Sequence, residues 1–289
     1  MDYVFMTDSD SDLPYELKVK YDIPVVYMPY AIEGKEYFDD LGQTMNHKEY
    51  YDKMRAGAVP VTSALNEATY MEYFEPIVKE KDLLFVAFSS KLSCTINAVY
   101  KVRDELLAMY PERKFIVVDT LSISGLQTLL VLQAHAMYRE GKSIEEVAQW
   151  LEDNKLRSQG WFTVEDLKYL KRGGRISAAA ATVGTMLDLK PILTVNKEGS
   201  LVSADKVRGR KKSMSYIIDK AVENVVDPTE NIGIILHADA PADAEKLKAM
   251  AQEKFPTMEI RIYPLGPVIG AHTGPGLLAF IFMGKERTI

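Results

Sequence analysis

The sequence predicts an α/β fold in which the first half of the chain forms a parallel sheet. Strand-like apolar segments alternate with segments of helical periodicity, as in successive βαβ units. The run "LLFVAF" is short, wholly apolar and bounded by turn residues, which is typical of a strand covered on both faces. Helix-start signals lie between such runs: Asn66 has the position of an N-cap, and Ser143 with Glu146 forms a capping box.

The elements of the first half follow from these patterns in chain order. The strand-like segments are "YVFM", "IPVVYMPYAI", "LLFVAF" and "FIVV". Helices are predicted around residues 16–21, in "HKEYYDKMRAG" up to Gly57, in "EATYMEYFEPIVKE", in "SCTINAVYKVRDELLAMY", and over residues 125–140 and 143–155. Because apolar and helical segments alternate without a break, a parallel sheet with crossover helices is expected.

The pattern changes after about Trp161, and a second domain is expected from there. A small-residue helix is predicted in "SAAAATVGTM", and two strands joined by a turn at Gly199 are predicted around "NKEGSLVSADKV". Helices over residues 211–226 and 242–255 alternate with the strands "IGIIL", "MEIRIYPL" and "GPGLLAFIFM". The polar stretch "DNKLRSQG" has the composition of a linker, so the predicted domains are residues 1–160 and 161–289.

The composition excludes several classes of protein. With 47% hydrophobic residues over 289 positions the chain is globular, and its net charge of −6 gives no general attraction for nucleic acid or an anionic membrane. Cys94 is the single cysteine, which fits a reducing compartment. No signal peptide and no apolar run of about 20 residues is recognisable. We expect a soluble, cytoplasmic protein with at most transient membrane contact.

Uncharged hydroxyl groups recur where the predicted strands end. "TDSDSD", "SSKLSCT" and "DTLSIS" each follow an apolar strand, and the carboxyl ends of parallel strands share one edge of a sheet. Such an edge suits a small anion, a carboxylate or a phosphate, although any one of these residues is more commonly a helix cap. The residues expected to converge are Thr7, Ser9, Ser90, Ser93, Thr95, Thr120 and Ser122.

The acidic loop "TDSDSD" allows other interpretations. A calcium loop is excluded because Leu13 and Val19 occupy the positions of the required glycine and glutamate. A strand followed by Asp8 and Asp10 also fits an aspartyl-phosphate phosphatase, or a transferase acting on a small acid, and this is kept as the alternative function. The structural interpretation is an acidic turn that caps the helix after Pro14.

Two glycine-rich stretches carry further candidate residues. "KRGGRIS" places Arg172 and Arg175 around two glycines, as an anion clamp, a docking surface or a solvated turn. "GPVIGAHTGPG" holds His272 in a loop that brings backbone close to a ligand, or in a stiff turn. No phosphate-binding glycine motif and no zinc-ligand spacing occurs, so neither a nucleotide nor a metal cofactor is expected.

Six segments in this order resemble the DegV family along nearly the whole chain. They are "TDSDSDLP", "VTSALN", "SSKLSCTINA", "VDTLSISGLQ", "LKYLKRGGRIS" with "LKPIL", and "GPVIGAHTGPG". The resemblance implies two α/β domains, the first a three-layer parallel sheet and the second a two-layer mixed sheet with helices. It also implies that a long-chain fatty acid lies in a tunnel between the domains.

The resemblance further implies a role without catalysis. Such proteins are the fatty-acid-binding subunit of fatty acid kinase, in phospholipid metabolism, and present the carboxylate to a separate ATP-binding subunit that forms the acyl phosphate. Arg172 and Arg175 match the family's arginines, with an anion or partner contact as the implied role. By the same match, the expected carboxylate-binding residues are Thr62, Ser63, Ser93, Cys94 and His272.

The chain departs from the family pattern beside the matched hydroxyl groups. Leu65 and Asn66 replace a proline and a serine, Cys94 replaces a glycine, and Ile96 replaces an aromatic residue. Since the matched hydroxyls themselves are kept, head-group capture is expected, with a changed pocket shape around Cys94. A sensor of another apolar acid is a third possibility.

Overall fold

The computed structural model describes residues 2–176, 189–229 and 232–289. The elements of the first part are β1 (Tyr3–Asp8), α1 (Tyr15–Tyr21), β2 (Val25–Val26), β3 (Pro29–Ile32), β4 (Lys35–Phe38), α2 (His47–Arg55), β5 (Val61–Thr62), α3 (Glu67–Val78), β6 (Asp82–Ala87), α4 (Thr95–Met109), β7 (Phe115–Asp119), α5 (Gly125–Arg139) and α6 (Ile144–Asn154). Most of these elements were predicted, including the N-cap at Asn66 and the capping box of Ser143 with Glu146.

The second part contributes six strands and four helices among the described residues. They are β8 (Ser158–Thr163), α7 (Lys168–Arg172), β9 (Leu189–Val195), β10 (Leu201–Arg208), α8 (Arg210–Asn224), β11 (Ile232–His237), α9 (Pro241–Lys254), β12 (Glu259–Pro264), α10 (Pro267–Thr273) and β13 (Leu278–Met283). The small-residue helix predicted for "SAAAATVGTM" lies outside the described residues.

The first sheet is parallel and covered on both faces. Its strand order is β2-β1-β6-β7, and every neighbouring pair is parallel. Helices α3 and α4 pack together against β6 and β7, while α5 and α6 pack together against β1, β6 and β7. The strands are apolar on both faces because both faces are buried, as the run "LLFVAF" predicts. These are the three layers expected for the first part.

The second sheet is mixed, with the order β10-β9-β8-β13-β11-β12. Its pairs are antiparallel except for β11 with β12, which is parallel. Helices α8 and α9 cover one face and enclose a core with Phe280 and Phe282. The α/β fold class, with a parallel and a mixed sheet, is confirmed.

Helix α5 joins the two sheets. It contacts β1 on one side and β8, β11 and β13 on the other, so one hydrophobic core runs from the first sheet to the second. The contact is close at Gly125, where a Cβ atom would lie 2.5 Å from Ile281 Cδ1. Any side chain at this position would separate the helix from the sheet.

Three local predictions are corrected by the structure. The stretch "DNKLRSQG" is not a loop, because it ends α6 and starts β8 at Ser158; the domain boundary near residue 160 stays a prediction. "GPVIGAHTGPG" contains the helix α10. "IPVVYMPYAI" divides into β2 and β3, and β3 belongs to a separate antiparallel sheet of order β4-β3-β5. No helix in the described part of the chain has the length and apolar character needed to cross a bilayer.

Candidate ligand-binding site

A cavity of about 230 Å³ lies where the first and second parts of the chain meet. We call it the head cavity. Most of the residues that the family resemblance singles out line it, together with apolar side chains from both parts. Its lining residues are Asp10, Met28, Thr62, Ser63, Ala64, Phe88, Leu92, Ser93, Cys94, Ile123, Leu170, Arg175, Leu201, Val268, Ile269, His272 and Thr273.

Thr62 and His272 meet directly in this cavity. Thr62 Oγ1 lies 2.9 Å from His272 Nε2, although the two residues are 210 positions apart. Thr62 is held by the pairing of β5 with β3, and His272 lies on α10. The start of α10 is fixed by α2, because Tyr50 donates a hydrogen bond to the carbonyl of Pro267 and Tyr51 donates one to the carbonyl of Leu265.

A glycine makes room for the imidazole. A Cβ atom at Gly173 would lie 2.1 Å from His272 Nδ1, so any side chain there would displace the ring. This contact explains the first glycine of "KRGGRIS", Gly173. It lies at the end of α7, and α7 packs against α10.

His272 is neutral at physiological pH. Burial, with Arg175 and Arg172 nearby, lowers the pKa of the imidazole to about 4. Its Nδ1 atom is buried and has no hydrogen-bond partner among the described residues. The ring therefore offers a neutral donor or acceptor at Nε2, depending on its tautomer, beside the Thr62 hydroxyl.

Ser93 and Cys94 bring the start of α4 to the cavity. Cys94 is the N-cap of α4 and is exposed. The Ser93 hydroxyl is hydrogen-bonded to Thr95 Oγ1 and accepts from the backbone N–H of Thr95 at 3.3 Å. Ser63 is exposed at the cavity wall next to Thr62. The N-terminus of a helix of this length carries a partial positive charge that favours an anion.

The two arginines of "KRGGRIS" have different positions. Arg175 lines the head cavity and donates to the carbonyls of Leu92 and Gly173. Arg172 is exposed, does not line the cavity, and has its guanidinium 5.2 Å from the centre of the Tyr169 ring. One arginine therefore faces the cavity and the other faces solvent.

Four aspartates form a buried cluster beside the cavity that no pattern in the sequence predicts. Asp8, Asp10, Asp12 and Asp39 are each at most 6% exposed. Burial raises the pKa of Asp8 and of Asp12 to about 7, and burial together with the neighbouring carboxyl groups raises the pKa values of Asp10 and Asp39 well above the usual range. The interpretation of this loop as an acidic cap of the helix after Pro14 is wrong, because Pro14 itself is the N-cap and no side chain caps α1.

Of the hydroxyl residues predicted to converge at the strand ends, Ser93 is the one that lines the head cavity. The other residues predicted to converge do not line the head cavity; they are Thr7, Ser9, Ser90, Thr95, Thr120 and Ser122. Thr7 donates to the carbonyl of Val86, Thr120 donates to the carbonyl of Ala87, and Ser9 accepts from the N–H of Met28. These hydroxyls satisfy backbone groups at the ends of strands, which is the common role of such residues. Thr62 completes the cavity from a different sheet.

An apolar slot continues from the head cavity into the contact between α5 and the second sheet. It has a volume of about 40 Å³ and shares Ile123, Leu201, Ile269 and Thr273 with the head cavity. No titratable side chain is present among the described residues that line it. The remaining lining residues are Ser124, Leu126, Phe162, Val195, Leu236, Leu265, Leu277, Ala279 and Ile281.

The geometry does not favour the phosphatase alternative. Asp8 would be the nucleophile, but it does not line the head cavity. Its Oδ2 accepts from the N–H of Phe88 at 3.0 Å and its Oδ1 accepts from Gln127 Nε2 at 3.1 Å. A carboxyl group that is buried and already paired through both oxygens is not placed to attack a substrate.

Fold and cavity together define an α/β protein with a parallel and a mixed sheet and a cavity lined from both parts of the chain. A sequence model described as an uncharacterised protein of the DegV family matches residues 4–285. The chain therefore belongs to the DegV family. It is 41% identical to a DegV domain-containing protein of Clostridium perfringens over 286 residues, which is 99% of this chain and 98% of that protein.

Solved structures agree with this assignment. A DegV lipid-binding protein of Thermotoga maritima has a TM-score of 0.86 at 29% identity, over 100% of both chains. A DegV family protein of Thermus thermophilus, described for its fatty acid binding, has a TM-score of 0.83 at 32% identity, over 98% of this chain and 100% of the other.

Proposed function

We propose that this protein binds a long-chain fatty acid, with the carboxylate in the head cavity and the hydrocarbon tail in the apolar slot. The observation that carries the proposal is the continuity of the two: a cavity with hydroxyl groups and an imidazole opens through shared residues into a slot without titratable side chains. The relatives described as lipid-binding and fatty-acid-binding proteins support the same ligand class.

The tail supplies the affinity in this proposal. Burial of each methylene group is worth about 0.8 kcal/mol, so a chain of roughly 14 methylenes offers on the order of 11 kcal/mol before ordering costs. The slot of about 40 Å³ has room for only a few water molecules, each of which needs roughly 10–15 Å³ of such space, so it has to widen for a whole tail. Side chains of leucine, isoleucine and phenylalanine line it, and they adapt by rotamer changes.

The head cavity fixes the orientation of the ligand. An unpaired carboxylate is costly to bury, and each hydrogen bond to a charged group returns about 1.5–3 kcal/mol. Thr62, Ser93 and His272 are the proposed donors, with Ser63 and Cys94 on the same wall and the N-terminus of α4 adding a favourable dipole. Arg175 is the lysine or arginine found among the described residues that line the cavity.

We further propose that the bound carboxylate is presented to a separate ATP-dependent fatty acid kinase subunit. The proposed donors Thr62, Ser93 and His272 are neutral, so they hold the carboxylate without neutralising it, and the cavity lining includes the exposed residues Ser63 and Cys94. Arg172 lies outside on the same segment as Arg175 and is the proposed contact with the partner subunit or with the incoming phosphate.

The ligand can be tested directly on purified protein. Native mass spectrometry followed by lipid extraction is expected to show one fatty acid per chain, and stripped protein is expected to take up palmitate or oleate. A protein that purifies empty and takes up neither acid would rule out the proposed carrier function.

The kinase role needs a separate assay. Loaded protein is mixed with ATP and a fatty acid kinase subunit from a bacterium that encodes a DegV family protein, and acyl phosphate is measured. Acyl phosphate formation that requires both proteins supports the role. A carrier that binds fatty acid but never yields acyl phosphate would limit the function to binding.

A further inference from the structure

Asp8 at the end of β1 and Asp10 and Asp12 in the loop after it differ in how their carboxyl oxygens are paired. Both oxygens of Asp8 accept hydrogen bonds, from Phe88 and Gln127. Both oxygens of Asp12 also accept, Oδ1 from the N–H of Gly266 at 2.8 Å and Oδ2 from the Ser124 hydroxyl. Asp10 is different: its Oδ1 is buried and has no partner among the described residues.

Asp10 is also the one aspartate of the cluster that lines the head cavity. It is 4% exposed, and it shares the cavity wall with Thr62, Ser93 and His272. A buried polar group without a partner is rare in folded proteins and calls for a ligand or a proton. Asp10 therefore has unused hydrogen-bonding capacity at the place where the ligand head group is proposed to lie.

The negative charges around Asp10 would repel an anionic ligand. Asp8 at the end of β1, Asp12 in the loop after it and Asp39 in the loop after β4 act on Asp10, and among the described residues the opposing charge acting on it is that of Arg175. If all four aspartates were ionised, they would repel a fatty acid carboxylate strongly at this low dielectric. A proton on Asp10 removes this repulsion and provides an O–H donor.

We propose that Asp10 is a further ligand-binding residue, which in its protonated form donates a hydrogen bond to the fatty acid carboxylate, so that the two carboxyl groups share one proton. The inference rests on the proposed fatty acid function and adds a proton requirement to it. No covalent bond changes: the proton stays between an Asp10 oxygen and a ligand oxygen. Burial and the neighbouring acids, which raise the pKa of Asp10, favour this protonated form before the ligand arrives.

The proton requirement makes uptake pH-dependent. At pH values above the pKa that Asp10 has in the ligand-free protein, each binding event has to take up one proton. The affinity for the fatty acid therefore falls about tenfold per pH unit. His272 does not contribute above about pH 6, since its pKa lies at about 4. Asp8 and Asp12 have pKa values of about 7 and also change their charge as the pH rises, so their contribution to the pH dependence has to be separated from that of Asp10.

Three proteins make this separation: the wild type, Asp10→Asn and Asp12→Asn. Binding of the fluorescent fatty acid cis-parinaric acid is measured from about pH 6 to pH 9. The wild type is expected to lose affinity by about tenfold per pH unit in the alkaline part of this range. Asp10→Asn is expected to bind with a flat profile, because its amide donor has no proton to lose. Asp12→Asn changes a cluster member outside the cavity and is expected to keep the wild-type slope, although its midpoint shifts because one charge beside Asp10 is removed.

A second measurement needs no variant. Calorimetric titration of the wild type at alkaline pH, in two buffers of different ionisation enthalpy, is expected to show uptake of about one proton per ligand. A wild type that binds tightly with a flat profile and no proton uptake would overturn the role of Asp10 and leave the fatty acid function intact. An Asp10→Asn profile as steep as that of the wild type would overturn it too. A wild type that binds no fatty acid at any pH would end both proposals.

Discussion

The head cavity and the apolar slot adjoin, but they are built from different kinds of residue. The cavity gathers polar side chains from three regions, Thr62 on β5, Ser93 before α4 and His272 on α10, and a cluster of aspartates lies beside it. The slot lies between α5 and the second sheet and contains no titratable side chain among its described lining residues. In the proposed function the slot therefore sets the affinity, while the cavity sets the orientation and the pH dependence.

Blocking the slot is expected to have the largest effect. Ala279→Leu adds bulk to the slot wall, so part of the tail can no longer be buried, and uptake of palmitate should fall by about a thousandfold, as expected for the loss of roughly five buried methylenes. Fluorescence competition measures the affinity. The same substitution at exposed Ala242 on α9 is the control and should not change uptake. Normal uptake by Ala279→Leu would place the tail elsewhere.

Removing a hydroxyl group from the cavity is expected to have an intermediate effect. Thr62→Val keeps the β-branched shape needed in β5 but loses the contact with His272 and one proposed donor, so the affinity should fall about 10- to 100-fold. Ser93→Ala should behave similarly. Thr257→Val, at an exposed position, serves as the matched control. If both cavity variants bind within twofold of the wild type, the carboxylate does not contact these hydroxyls.

The buried acids should make the stability of the protein pH-dependent. The native pKa of Asp12 is about 7, well above that of the unfolded chain, so between about pH 4 and 7 the native state holds a proton that the unfolded state has lost. The free energy of unfolding therefore falls as the pH rises through this range, by up to about 1.4 kcal/mol per pH unit for this one group.

Asp12→Asn tests this dependence. The variant should flatten the decrease, because it has no proton to lose, while its amide still bonds Gly266 and Ser124. Urea unfolding followed by tryptophan fluorescence at several pH values gives the slope, and Asp153→Asn at an exposed position is the control. An unchanged slope in Asp12→Asn would show that this carboxyl group is ionised in the native state.

The smallest effect on binding is expected for the arginine that faces solvent. Arg172→Ala lies outside the head cavity, so the affinity for palmitate should change less than twofold, while acyl phosphate formation with the kinase subunit should fall. The two readouts are measured on the same preparation. A large loss of binding in this variant would move Arg172 into the head-group site, and normal acyl phosphate formation would remove it from the partner contact.

Local patterns predicted most of the secondary structure and several caps. Asn66 accepts from the N–H of Thr69 at the start of α3, and Ser143 with Glu146 caps α6 as predicted. The helix α10 was missed because its sequence is rich in glycine and proline, and tertiary contacts from Tyr50 and Tyr51 hold it in place. The small antiparallel sheet was missed because its strands have only two to four residues.

By itself, the sequence determined the order of the strands and helices, the family, and the hydroxyl, imidazole and guanidinium groups that are candidates for the site. Only the tertiary structure decided which of them meet: Thr62 reaches His272, Arg175 lines the cavity, and Arg172 does not. It also decided that Asp8, Asp10, Asp12 and Asp39 are buried together. The reason is physical, because caps and periodicity depend on neighbours in the chain, whereas burial and the protonation of a carboxyl group depend on residues that are distant in sequence.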